Sequence, residues 1–144
     1  MYYYLNGFHV NIATIEKLND LRFIKTFANQ LNFRRVVYYA IFNKKTDIVE
    51  YCLDYWLDNI DNIKLIEIKD EETLKLVIRK KEIKKTKHDV INFSNYNRPD
   101  LLKILLDNGW PVIETDYRYK KEVNKILIER IYFNWKSRSD KHGI

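Results

Sequence analysis

The sequence predicts an all-α protein, built from stacked helix–turn–helix repeats and closed by a C-terminal capping helix. The first observation is composition: the 144 residues include 3 Gly and 2 Pro, whereas β-sandwiches and barrels need many turns that use these residues. The second is a short motif that recurs along the chain, and the third is the helical spacing of apolar residues within it. We therefore expect one repeat domain over residues 1–144.

Each copy of the recurring motif begins with an acidic residue and continues as a short amphipathic run. The acidic residues are Asp20, Asp47, Glu72 and Asp100, with separations of 27, 25 and 28 residues. A negative charge suits the N-terminal end of a helix dipole, so each motif is predicted to form the second helix of a pair. One pair cannot bury its apolar face alone, whereas stacked pairs cover each other. The predicted repeats span about residues 8–30, 34–57, 61–81 and 88–113.

The clearest copy of the motif covers residues 100–106. Its apolar residues lie at i, i+1, i+4 and i+5, which is one stripe of a helix: Leu101, Leu102, Leu105 and Leu106. Pro99 fits the first turn of this helix. Gly109 fits its end, because glycine adopts the left-handed conformation without strain.

An apolar stretch precedes most copies and is predicted to form the first helix of the pair. These stretches cover residues 10–15, 36–42 and 90–94, and polar residues separate the last two from the motif that follows. The segment before and within the third copy is ambiguous. Residues 64–79 fit either a helix or a β-hairpin that turns through Asp70-Glu71-Glu72.

Both ends of the chain differ from the repeats. Residues 116–136 are predicted to form one long helix that caps the last repeat, anchored by Phe133 and Trp135. The polar residues after it are predicted to fray. At the N-terminus, the aromatic run over residues 2–5 is expected to pack on the first helix or to mediate self-association.

The repeats resemble ankyrin repeats. Residues 99–109 resemble the second helix of that family and its closing Leu-Leu-x-x-Gly, and Ala13 and Ala40 occupy the position of its small first-helix residue. Val112 and Ile113 match its apolar position after the glycine. The family's Thr-Pro-Leu-His turn is replaced by Val36-Val37-Tyr38 and Asp89-Val90-Ile91, and the repeat is shorter than usual. Such degenerate repeats, in chains rich in Ile, Lys, Asn and Tyr, are similar to those of large DNA viruses.

The resemblance implies a non-enzymatic module for protein–protein interaction, and in particular a viral factor that binds a host protein. In the family, the partner lies along the first helices and the turns. Tyr and Asn suit such a surface because they offer contact area and hydrogen bonds. The same aromatic residues could instead belong to the core, and a homodimer stays open. Carried onto this chain, the predicted binding residues are Tyr38, Tyr39, Phe42, Asn43, Asn92, Asn95, Tyr96 and Asn97.

The basic segment 79–88 supports an alternative function, nucleic-acid binding. The chain carries a net charge of +6, and clustered cations bind phosphates with release of counterions. A solvated link between two repeats explains the segment better than nucleic-acid binding does, and no groove-reading motif accompanies it. The candidate contacts are Arg79, Lys80, Lys81, Lys84, Lys85 and Lys87.

Catalytic chemistry receives little support from the sequence. The histidines His9, His88 and His142 lie far apart, and no two of them have the spacing of a helical metal site. One weak pattern remains, in which Asp54, Asp58 and Asp61 precede Glu67 and Lys69, as in metal-dependent nucleases. That interpretation requires residues 64–69 to form a strand. We expect no enzyme activity, no metal and no cofactor.

The environment of the protein is predicted to be reducing and aqueous. Cys52 is the single cysteine, in an apolar stretch where a buried side chain is expected. No apolar run approaches the length of about 18 residues that a membrane span requires, and no signal peptide is evident. The sequence therefore favours the cytoplasm, the host cytoplasm for a viral protein, with the nucleus as an alternative.

Overall fold

The chain is mostly helical in a computed structural model that describes residues 2–5, 8–56 and 64–142. The predicted all-α class is confirmed for this part of the chain, apart from a short N-terminal hairpin. Two 3₁₀ turns cover Ala28–Gln30 and Leu65–Glu67. The strands are β1 (Tyr2–Leu5) and β2 (Phe8–Asn11), and the helices are α1 (Ile12–Leu18), α2 (Leu21–Thr26), α3 (Phe33–Phe42), α4 (Thr46–Tyr55), α5 (Glu71–Lys80), α6 (Lys87–Asn95), α7 (Pro99–Asp107) and α8 (Lys121–His142).

The chain forms two compact units, Met1–Lys81 and Glu82–Ile144. In the first unit α1 contacts α3, α3 contacts α4, and α4 contacts α5. In the second unit α7 contacts both α6 and α8. The single-domain organisation inferred from the sequence stays a prediction.

Each unit has its own apolar core. The first is built on the inner faces of α3 and α4, where Val36, Ala40, Val49 and Cys52 are fully buried. The core of the second unit is centred on α7, and its fully buried side chains include Val90, Phe93, Leu101, Leu102, Leu105, Val123 and Leu127. The predicted stripe of α7 is therefore the centre of the second core.

The same tight turn joins the two helices of three pairs. Asn19, Lys44 and Asn97 have φ values of 53°, 56° and 52°, and each lies two residues before the second helix of its pair. In the turns after α3 and α6, the residue that follows the left-handed one donates a backbone hydrogen bond to the first helix. Lys45 donates to the Ala40 carbonyl at 2.8 Å, and Arg98 donates to the Phe93 carbonyl at 3.3 Å. This bond closes the helix end by the Schellman pattern, so the pairs share their connection as well as their helices.

The first predicted repeat is wrong at its start. Residues 8–11 form a strand, not the beginning of a helix, and pair antiparallel with residues 2–5, with Tyr2 opposite Asn11 and Leu5 opposite Phe8. Aromatic residues favour strands, and the sequence between the strands is Asn-Gly, the dipeptide that most favours a two-residue hairpin. The helix begins only at Ile12, after the side chain of Asn11 accepts a hydrogen bond from the Ala13 N–H at 2.9 Å.

The hairpin alternative for residues 64–79 is wrong. Glu71–Lys80 is an α-helix that Asp70 caps, since the Asp70 carboxylate accepts a hydrogen bond from the Thr73 N–H at 3.0 Å. Acidic residues in the first turn and basic residues in the last suit the helix dipole. The third predicted repeat, 61–81, therefore has its second helix. Within residues 64–81 a single 3₁₀ turn precedes that helix, and the start of the repeat lies outside the described residues.

The predicted cap, 116–136, is displaced toward the C-terminus. Residues 116–119 form a turn, with the Tyr119 N–H bonded to the Asp116 carbonyl at 2.9 Å, so α8 begins at Lys121. It continues to His142, past residue 136, where the predicted cap ends. Phe133 and Trp135 are exposed and do not anchor it. Val123 and Leu127, one turn apart, fill that role because they are fully buried.

Candidate functional site

The first half of the predicted binding face lies on α3. Val36, Val37, Ala40 and Ile41 are buried, so the opposite side of the helix faces outward. Tyr38 and Phe42, four residues apart on that side, are 54% and 72% exposed. Tyr39 is half-buried, and its ring meets the edge of the Tyr38 ring with centroids 5.5 Å apart.

Asn43 has a structural partner. Its side-chain amide donates a hydrogen bond of 2.8 Å to the side-chain oxygen Oδ1 of Asn19, which lies in the α1–α2 turn. The Asn19 amide in turn donates to the Glu16 backbone carbonyl at 3.3 Å. Asn43 therefore links two turns of the first unit, and we assign it a structural role and not a role in partner binding.

A pocket of about 350 Å³ opens beside the exposed side of α3. Its described charged residues are three cations and one carboxylate, and its aromatic residues are Phe33, Tyr38 and Tyr39. Among residues 9–56 and 64–140, Arg34 and Lys64 form no ion pair. The described lining consists of Phe33, Arg34, Arg35, Val37, Tyr38, Tyr39, Ile41, Lys64 and Glu67.

A buried carboxylate fixes the first turn of α3. Glu16 of α1 is 1% exposed, and one of its oxygens accepts a hydrogen bond of 2.6 Å from the Asn32 N–H. Asn32 caps α3 by accepting from the Arg35 N–H at 3.3 Å, and the Arg35 guanidinium lies 3.7 Å from Glu16. Glu16 therefore partly neutralises the charge of Arg35, whereas the side chain of Arg34 lines the pocket. We define the α3 surface as Arg34, Tyr38, Phe42 and Lys64.

The second half of the predicted face lies at the end of α6, in the other unit. Asn95, Tyr96 and Asn97 are exposed, and Asn92 is half-buried. Asn97 is the left-handed residue of the α6–α7 turn, and the Tyr96 N–H closes the helix on the Asn92 carbonyl at 3.1 Å. These residues form a polar turn and, among the described pockets, line none.

Two of the six basic candidates for nucleic-acid contact have partners among the residues that the structure describes. Lys80 lies 3.2 Å from Asp54 and 3.7 Å from Glu50, both on α4. Lys85 lies over the ring of Trp110 at 5.5 Å, a cation–π contact. The boundary between the two units, after Lys81, falls within the basic segment 79–88. The remaining candidates are Arg79, Lys81, Lys84 and Lys87.

The nuclease interpretation lacks its structural premise. Leu65–Glu67 is a 3₁₀ turn and not a strand, and Asp54 is paired with Lys80. Glu67 lines the pocket beside α3, and Asp58 and Asp61 lie outside the described residues. In the described parts of the chain, no three His, Cys, Asp or Glu residues are grouped as metal ligands would be.

Cys52 is a buried hydrophobic residue, as predicted. Its side chain is fully buried in α4, and desolvation raises the pKa of the thiol to about 12. The nucleophilic thiolate is therefore scarce near neutral pH. Among the described helices, none combines the length and the apolar composition of a membrane span.

Sequence reasoning missed one surface, on α8. Ile128, Ile131, Tyr132 and Trp135 are exposed and follow the i, i+3, i+4, i+7 spacing of one helix face. We call these four residues the α8 stripe. The spacing is visible in the sequence, where only Trp135 of the four is predicted to have a role, as an anchor of the cap.

Known proteins provide no further guide. The chain matches no family model, no curated protein and no solved structure.

Proposed function

We propose that this chain is a non-enzymatic protein-binding module that engages its partner through the α3 surface. The observation that carries the proposal is the outward row of α3, where Tyr38 and Phe42 are 54% and 72% exposed beside a pocket with Arg34 and Lys64 at its wall. Large aromatic and arginine side chains carry much of the binding energy in protein interfaces.

The charge of the α3 surface indicates the chemistry of the partner. Arg34 presents a planar set of donors that matches a carboxylate, and Lys64 adds a second positive charge at the same pocket. The neighbouring Phe42 offers an apolar contact. The expected partner is therefore a protein surface on which an acidic side chain lies next to an apolar one.

We also infer that the helix pairs are degenerate ankyrin-like repeats. Three pairs share the left-handed turn residue at the same position. In the first unit, the first helices α1 and α3 contact each other, as do the second helices α4 and α5, which is the serial contact of a repeat protein. In this scheme α3 is a first helix, the element that ankyrin-like proteins use for binding. The viral origin and the host-protein partner stay predictions.

The proposal is tested by affinity capture with matched variants. The 144-residue chain is used to capture partners from nuclease-treated lysate in three forms. These are the wild type, Tyr38→Ser/Phe42→Ser, and Tyr117→Ser, which removes an aromatic residue that is 94% exposed elsewhere. We expect a protein that the wild type and Tyr117→Ser retain and the double variant loses. The captured protein is then identified by mass spectrometry, purified and titrated calorimetrically.

Two outcomes would contradict the proposal. One is equal retention of the same proteins by the double variant, with circular dichroism showing that all three forms are folded. The other is binding that disappears on nuclease treatment, which would favour the basic segment 79–88 as the functional surface.

A further inference from the structure

Helix α8 has two apolar faces. One is buried in its own unit, and the other, the α8 stripe, is exposed. Ile128, Ile131, Tyr132 and Trp135 are 56%, 40%, 60% and 54% exposed. The rings of Tyr132 and Trp135 lie with centroids 6.2 Å apart, so the face is continuous. The stripe ends there, because Ser139, one turn beyond Trp135, is buried.

The other side of α8 is the one that packs on its own unit. Val123 and Leu127 are fully buried, and Arg130 donates to the Leu106 carbonyl at 3.3 Å and pairs with Asp107. The stripe is therefore not required for the attachment of α8 to α7. Four large apolar residues at this spacing are the pattern by which one helix packs along another.

The charges beside the stripe are arranged so that the helix complements itself. Four charged side chains project from one side of the stripe: Lys125, Glu129, Lys136 and Asp140. Because successive residues of a helix are turned by about 100°, these four lie within about 60° of each other around the helix axis. Read toward the C-terminus, their signs are plus, minus, plus and minus. All four side chains are exposed, and the pair between Lys136 and Asp140 at 3.5 Å is an exposed i,i+4 contact, which contributes little and can exchange partners.

An antiparallel arrangement of two such helices pairs every one of these charges with its opposite. In an antiparallel pair the same sides of the two helices face each other, whereas in a parallel pair they lie on opposite edges of the contact. With the two-fold axis between residues 132 and 133, Lys125 faces Asp140 of the second copy, and Glu129 faces Lys136 of the second copy. A two-fold contact uses one surface on both molecules, as this pattern requires.

We propose that the chain forms a two-fold antiparallel dimer through the α8 stripe, with a second copy of the chain as the occupant. One helix-to-helix contact is small, so we expect a dissociation constant on the order of 10 µM. The proposal does not rest on the α3 surface, but a dimer presents that surface twice and raises the avidity for a multivalent partner.

Sedimentation equilibrium of the full chain from about 1 to 300 µM, around the expected dissociation constant, tests the proposal. We expect a monomer–dimer equilibrium that Trp135→Glu weakens at least tenfold. The control is Phe133→Glu, since Phe133 is 64% exposed on the same helix but outside the stripe. A wild type that stays monomeric, or a dimer that both variants weaken equally, overturns the proposal.

The antiparallel pairing is tested by charge exchange. Glu129→Lys and Lys136→Glu each place like charges opposite each other in the homodimer, so each single variant is expected to dimerise less than the wild type. The double variant restores the opposite charges and is expected to recover the dimer. A mixture of the two single variants is expected to form a heterodimer. If neither the double variant nor the mixture recovers the dimer, while circular dichroism shows that α8 is intact, the antiparallel arrangement is overturned.

Discussion

At the scale of single residues, the surroundings of a charge decide what it does. Arg35 lies near the buried carboxylate of Glu16, Lys80 pairs with Asp54, and Lys85 covers Trp110. These cations support the fold. Arg34 has no ion-pair partner in the described residues and lines the pocket beside α3, so it is the basic residue that we expect a partner to contact.

Charge reversal at Arg34 tests this assignment. Arg34→Glu is expected to weaken binding of the captured partner by on the order of tenfold, because it replaces an attraction to an acidic group with a repulsion. Lys75→Glu, at an exposed position of α5, makes the same change in net charge and serves as the control. Isothermal titration calorimetry measures both. Equal effects of the two substitutions would mean that only the net charge matters.

Asp116 provides a prediction about pH. Its carboxylate accepts hydrogen bonds from the Arg118 side chain at 2.7 and 3.0 Å and from the Arg118 N–H at 2.9 Å. These bonds lower the pKa of Asp116 from 3.8 to about 2. Because the folded-state pKa lies below the unfolded value, the stabilisation is present above pH 3.8 and is lost as the pH falls toward 2.

We therefore expect the difference in melting temperature between the wild type and Asp116→Asn to shrink as the pH falls from 4 to 2. The difference is small at neutral pH, since an exposed ion pair is screened by water. Thermal melts at low salt measure it, with Glu114→Gln, at an exposed position close in the sequence, as the comparison. A difference that is constant over this range would show that the Asp116–Arg118 pair does not stabilise the fold.

At the scale of elements, local sequence determined the second helices better than the first. The acidic residues of the motif do mark helix starts: Asp20 caps α2, and Glu72 and Asp100 lie in the first turns of α5 and α7. Pro99 and Gly109 bound α7 as expected, and Gly109 has a φ of 94°. The N-terminal hairpin was not predicted, although the Asn-Gly between its strands is a local hairpin signal.

Lys44 lies in the left-handed conformation at the α3–α4 turn, where a side chain with a Cβ costs about 1 kcal/mol. Lys44→Gly is expected to raise the free energy of unfolding by about 0.5–1 kcal/mol, measured by urea denaturation. Lys45 is the next residue and has a φ of −91°. Lys45→Gly is therefore expected to lower the free energy of unfolding. If the two variants change stability alike, the conformation of the turn does not limit stability.

At the scale of the whole molecule, the cores of the two units determine which helices are stable. Leu105 is fully buried in the second unit. Leu105→Asp places an unpaired charge there and is expected to destabilise the unit by on the order of 4 kcal/mol or more. Leu105→Met conserves volume and is expected to cost less than about 1.5 kcal/mol.

Hydrogen exchange and thermal melts measure these two substitutions. We expect Leu105→Asp to remove the protection of the α6, α7 and α8 amides, and Leu105→Met to preserve it. An unchanged melt of Leu105→Asp would show that the stripe of α7 is not the core of the unit.

The candidate site could be predicted only in part, because exposure is a property of packing. Tyr38, Tyr39, Phe42 and Asn43 follow one another closely on or next to α3, yet Tyr39 is half-buried and Asn43 binds Asn19. The contribution of Lys64 to the pocket joins residues 30 positions apart in the sequence, which no local pattern indicates. The exposure of the α8 stripe was missed for the same reason, because a helical apolar face looks the same in sequence whether or not something covers it.

The sequence by itself determined the helical class, the positions of the second helices and the buried stripe of α7, because these depend on propensity, capping and periodicity within about ten residues. Tertiary structure alone decided which cations are neutralised, where a pocket opens and which apolar faces stay in water. These features depend on residues distant in the chain, since burial and ion pairing arise only when separate helices pack against each other.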